Sequence, residues 1–125
     1  MTRVRGRRLW CRIEAHGGTI PVYIITGELK NDDGSDVDAY YDHEVPCIVV
    51  KHTGNIAAMQ QRLHHEILHV CFAAHSGDGC SFLGSNVNVQ WKREESIVSF
   101  LEPVQFDLLV RNGFLKYPKP PKAPK

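Results

Sequence analysis

The hydrophobic period of the chain changes near its middle, from about two to about three and a half. Leu9 to Ile13 and Ile20 to Ile25 are short β-rich runs parted by Gly17-Gly18, which predicts two strands and a hairpin-like turn. Asn31-Asp32-Asp33-Gly34-Ser35 reads as a loop, because Asn, Asp and Gly accept the backbone angles that turns require. Val37 to Tyr41 and Pro46 to Lys51 give two more strands, joined by Asp42-His43-Glu44. The expectation is a small antiparallel meander of four strands.

From Asn55 to Ala74 the apolar positions Ile56, Met59, Leu63, Ile67, Val70 and Ala74 recur at three- and four-residue intervals, the stripe of an amphipathic helix. Thr53 or Asn55 can cap its start. Gly77-Asp78-Gly79 breaks it, and 76–88 reads as a loop. A second helix is predicted from Trp91 to Arg111, with Ile97, Val98, Leu101, Leu108 and Leu109 inward and Asn112-Gly113 as its stop. Pro103 lies inside that span, where it removes a backbone donor, so a kink or two abutting helices are expected. Residues 117–125, rich in Pro and Lys, have a composition that cannot build a core and are expected to be disordered.

Strands followed by helices predict an α+β domain over 1–116, and 125 residues suffice for one core. No apolar run approaches the about 20 residues that a membrane span takes. The arginines at 3, 5, 7 and 8 are followed by no apolar segment, so the start does not read as a secretory signal and the cytoplasm is the expected compartment. Cys11, Cys47, Cys71 and Cys80 form no C-x-x-C pair, which excludes a zinc ribbon and a redox motif. A net charge of +1 makes no global case for nucleic acid, although basic residues crowd 3–12 and the tail while acids crowd 28–44.

Within the first helix stands His65-Glu66-Ile67-Leu68-His69. Histidines four apart lie on one helix face and can direct imidazole nitrogens at one Zn²⁺, while the intervening glutamate borders that face as a general base. Zinc lowers the pKa of a water it holds to about 7 and polarises a carbonyl, which is hydrolytic chemistry at neutral pH. A catalytic site needs a third protein ligand. His75 stands six residues after His69, where H-E-x-x-H-x-x-G-x-x-H has its third histidine, but Phe72 replaces the glycine. A continuing helix also turns His75 away by about 240°. No methionine follows the motif, so no Met-turn can form. Asp78 in the glycine-rich loop is one candidate and Cys71 or Cys80, given special loop geometry, are others; the second helix, opening with Arg93-Glu94-Glu95, offers a carboxylate from a neighbouring element. Phase with Ile97, Val98 and Leu101 slightly favours Glu94 as the inward acid.

The stretches Asp38-Ala39-Tyr40-Tyr41-Asp42, Cys47-Ile48-Val49-Val50, Leu63-His64-His65-Glu66-Ile67-Leu68-His69 and Glu95-Ser96-Ile97-Val98-Ser99-Phe100-Leu101 resemble small single-domain zincins of phages and bacteria, similar to the IrrE/ImmA-type metallopeptidases, over roughly 20–113. The resemblance implies a minimal zincin-like fold, His65 and His69 as ligands of Zn²⁺, Glu66 as base and a second-helix glutamate, Glu95, as third ligand. Ser96 departs from the usual acid of the pair, and the helices and sensor regions of full-length relatives are missing. The expected activity is zinc-dependent hydrolysis of a peptide bond in a protein or peptide substrate, with His64, Tyr40 or Tyr41 as candidate oxyanion donors. The rival readings are a catalytically inactive interaction protein on the same scaffold and a structural zinc site using Cys71 or Cys80.

Overall fold

The computed structural model describes residues 6–15, 18–31, 33–42, 44–75 and 87–123, and for Ala74, His75, Val87 and Asn88 the backbone alone. The break at Gly77-Asp78-Gly79, together with Cys80, falls outside these residues. The order is β1 (Arg8–Ala15), β2 (Gly18–Ile25), β3 (Ala39–Asp42), β4 (Cys47–Lys51), α1 (Ile56–His75) and α2 (Val87–Gln105), which continues into a π-helical turn, Phe106–Val110. The class is α+β, with one four-stranded sheet. Among the described residues no helix is long and apolar enough to cross a membrane.

The sheet is not the antiparallel meander that short turns suggested. Its order is β1-β2-β4-β3, and β2 pairs with β4 in parallel, Val22 against Ile48 and Ile24 against Val50. Burial explains the exchange. Cys47-Ile48-Val49-Val50 is unbroken apolar chain and every one of the four is buried, so β4 needs cover on both faces and a strand on each side. The four half-buried residues of β3 tolerate the edge, antiparallel to β4.

Alternation along the strands divides the interior in two. Val22, Ile24, Ile48 and Val50 face α1 and pack with Met59, Leu63 and Val70. Ile25, Cys47 and Val49 face the other way, where Leu29 and Val37 of the β2–β3 connection cover them. Fully burying each such Val, Leu or Ile contributes roughly 1.5–3 kcal/mol. Met59, Leu63, Ile67 and Val70 of the stripe predicted on α1 are thus inner, whereas Ile56 is exposed at the helix start and the Ala74 side chain lies outside the described residues. Asn55 is the cap: its side-chain oxygen accepts from the Ala58 amide at 3.0 Å.

The second helix departs from expectation in two ways. It starts at Val87 rather than Trp91, so the predicted 76–88 loop gives up its last two residues. Of the two readings at Pro103, the abutting pair does not form, since one helix runs through it. Finally, the π-helical turn that follows Pro103 shifts the phase, so Leu108 and Leu109 are exposed and Val98, Glu102 and Phe106 are the buried positions. The helical chain then ends at Asn112-Gly113, as predicted, with Gly113 at φ 75° and the Leu115 amide donating to the Leu109 carbonyl at 2.9 Å.

Residues 117–123, expected to be disordered, are instead held against the body. Tyr117 packs on the core beside α1. Gln60 donates to the Tyr117 and Pro118 carbonyls, Trp10 to that of Pro118 at 3.2 Å, and Arg8 to that of Lys122 at 3.3 Å. Composition missed this because the contacts use backbone carbonyls, which proline retains.

Candidate metal centre

Helical spacing puts Arg62, His65, Glu66, His69 and Ala73 on one face of α1, and this face is one wall of a cleft of about 790 Å³. Across it stand Gln90, Trp91, Glu94, Glu95 and Ser99 of α2, with Ala39, Tyr40 and Tyr41 of β3 at the sheet edge. The two helices thus bring both histidines and the Glu94-Glu95 pair together.

Glu95 spans the imidazoles: its Oε2 is 2.8 Å from His69 Nε2 and its Oε1 is 3.3 Å from His65 Nε2. One ligand atom from each of His65, His69 and Glu95 lies within 4.8 Å of the others. Ser99, one turn along α2, donates to Glu95 Oε1 at 3.2 Å and steadies that carboxylate. Glu94 takes the other side of His69, accepting from Nδ1–H at 2.7 Å. It therefore orients the ring and leaves Nε2 toward Glu95, the arrangement by which carboxylates fix metal-binding histidines. The slight preference of simple periodicity for Glu94 reflects this inward but different task.

His65 has a parallel support that the sequence reading did not find. Glu102, buried two turns beyond Glu95, places Oε1 3.6 Å from His65 Nδ1 and holds Gln61 Nε2 at 2.6 Å through its other oxygen. At 3.6 Å no hydrogen bond forms, and His65 Nδ1 is buried without a partner among the described residues. Glu102 was legible only as an acid on the 94-98-102 spacing, in phase with buried Val98.

Four carboxylates, those of Glu66, Glu94, Glu95 and Glu102, surround two imidazoles, while Arg62 in the same cleft is paired with Asp38 at 3.4 Å. The surplus of negative charge calls for a cation. Burial works to lower the His69 pKa, yet the Glu94 hydrogen bond and the carboxylates of Glu66, Glu95 and Glu94 outweigh it and hold the ring above its ordinary value. Burial dominates at His65 and lowers it, against the pull of Glu95 and Glu102. Glu66 is pushed up to about 7, chiefly by burial and further by Glu95, against the opposing effect of His69 and of a backbone hydrogen bond from Tyr41. A carboxyl balanced near neutrality is suited to exchanging protons.

The donor set fits zinc: two imidazole nitrogens and a carboxylate oxygen that can be aimed at one point, with a charge balance that a divalent cation corrects. His64, beside the motif, faces away from this site. Its Nε2–H donates to Gln105 Oε1 at 3.0 Å and its Nδ1 accepts from the Tyr117 hydroxyl, so it is buried and removed from the cleft. Tyr40 and Tyr41 do line the cleft. Cys71 is exposed and apart from the cluster, whereas Asp78, Cys80 and the side chain of His75 lie outside the described residues. Compared with known proteins, the chain matches no family model, no curated protein and no solved structure.

Proposed function

We propose that the chain is a zinc-dependent metallopeptidase with a minimal zincin-like fold, in which His65, His69 and Glu95 hold the ion and Glu66 is the general base. The observation that carries this reading is the convergence of two imidazole Nε2 atoms and the Glu95 carboxylate beside Glu66 in an open cleft. Zinc held there supplies Lewis acidity toward a water and a peptide carbonyl. Glu66 accepts the proton of the attacking water on its carboxylate and delivers it to the leaving amine. Glu94 keeps the His69 ring turned toward the ion through Nδ1, and Glu102, 3.6 Å from His65 Nδ1, places negative charge behind that ring. The edge strand β3, along the cleft, offers a peptide an extended path by strand addition.

The test is zinc analysis together with hydrolysis of a randomised peptide mixture read by mass spectrometry. Wild type binds one zinc and cuts peptides; Glu66→Gln keeps the zinc and loses cleavage by at least about a hundredfold, the size of a general-base contribution. Cleavage retained in Glu66→Gln, or a folded wild type that takes up no zinc, contradicts the proposal.

A further inference from the structure

The two ends of the cleft differ in chemistry. Along α1 the residue one turn before the motif is Arg62, paired with Asp38, and the residue one turn after His69 is Ala73. On α2 the residue one turn before Glu95 is Trp91. A turn of four residues advances about 6 Å, so Ala73 and Trp91 both stand about 6 Å beyond the candidate ligands. That is roughly two residues of extended chain at about 3.3 Å each. Trp91 belongs to neither core cluster and is 57% exposed although it lines a concave wall. A large indole left in water at that place has apolar surface to bury only when the cleft is filled.

We infer, resting on the metallopeptidase reading, that Trp91 and Ala73 form a subsite for an apolar side chain, aromatic or branched aliphatic, of the peptide lying across His65, His69 and Glu95. Ala73 leaves room on the floor and Trp91 supplies the wall. At the Arg62–Asp38 end Val37, Ala39, Tyr40 and Tyr41 also line the cleft, but each is half-buried and packed on a core cluster, whereas Trp91 is not. Substrate selection is therefore one-sided, set within about two residues of the bond that is cut.

The test uses the zinc-loaded full chain and two hydroxamates, one bearing a benzyl side chain and acetohydroxamate, which has none. Affinity is measured by isothermal titration calorimetry, and the place of binding in the wild type by the indole N–H NMR signals of Trp10 and Trp91, the two tryptophans of the chain. The benzyl compound binds at least about tenfold tighter, the gain expected for burying one apolar side chain, and only the Trp91 signal moves. Trp91→Ala erases the gain with zinc content unchanged, Trp91→Phe keeps most of it, and Phe100→Ala, at an exposed aromatic outside the cleft, leaves it intact. Acetohydroxamate binding with no side-chain gain, or a gain that survives Trp91→Ala, overturns the subsite alone. A chain that takes up no zinc, or binds neither hydroxamate when loaded, overturns the subsite and the metallopeptidase reading together.

Discussion

His64 and His65 are neighbours in sequence and opposites in setting. On one side of α1, His65 joins His69 among four carboxylates in an open cleft. On the other, His64 lies between Gln105 and Tyr117, neutral partners that satisfy both ring nitrogens, and burial lowers its pKa. The first side is short of positive charge and, among the described residues, holds a buried ring nitrogen without a partner; on the second both ring nitrogens are bonded. Identical side chains are thus made a candidate metal ligand or a structural clasp by what the second helix and the tail bring against them.

Alanine at each histidine in turn breaks the comparison most sharply. His65→Ala is expected to weaken zinc binding by at least about a thousandfold, one of three ligands being lost, while the melting temperature of the metal-free protein changes little. His64→Ala does the reverse: zinc titration is unchanged, and stability by denaturant unfolding falls by about 2–3 kcal/mol, because a cavity forms and two half-buried partners lose their hydrogen bonds.

The next effect is one of pH and belongs to the cleft side. Folding raises the Glu66 pKa from 4.5 to about 7, so between those values the folded state keeps a proton that the unfolded chain has released. Its contribution to stability therefore falls as pH rises through that window, by on the order of 3 kcal/mol at about 1.4 kcal/mol per unit. Unfolding of the metal-free chain at a series of pH values, against Glu66→Gln, isolates this slope, since His65 and His69 titrate in both. Equal slopes would refute the assigned burial of an acid.

Glu102→Gln sharpens the reading of the support behind His65. With no hydrogen bond to His65 to lose, Glu102→Gln removes only a nearby negative charge and lowers zinc affinity by less than about tenfold with the fold kept, whereas Glu94→Gln, which weakens the bond to His69 Nδ1, lowers it by about 10–100-fold. The smallest effect is on the clasp, where Tyr117→Phe keeps the ring against the core and removes one hydrogen bond to His64. It costs about 1 kcal/mol with no change in zinc affinity.

The cleft side was the more legible in sequence. A helical stripe and His65-Glu66-Ile67-Leu68-His69 are local patterns, and the helix period alone places both histidines and the base on one face. Assigning Glu95 and Glu94 to different tasks needed the packing of α2 on α1, which periodicity reached only to within one residue. Glu102 was hidden because an acid on an apolar face reads as an exception rather than a partner. The clasp side was hardly legible at all. Tyr117 sits in a Pro/Lys segment whose composition argues against order, and its anchors are side-chain donors of Arg8, Trp10 and Gln60 from the distant β1 and α1. The strand order was readable in part, since an unbroken apolar run at 47–50 already marks a central strand.

The proposed centre is one zinc ion held by His65, His69 and Glu95. X-ray absorption at the zinc edge, on the full chain loaded with one equivalent, reads its ligands. Two imidazole nitrogens at about 2.0–2.1 Å are expected, with oxygen neighbours for the remainder, one imidazole lost in His69→Ala and the oxygen shell altered in Glu95→Ala. A sulfur neighbour at about 2.3 Å, or a spectrum unchanged by both substitutions, would contradict it.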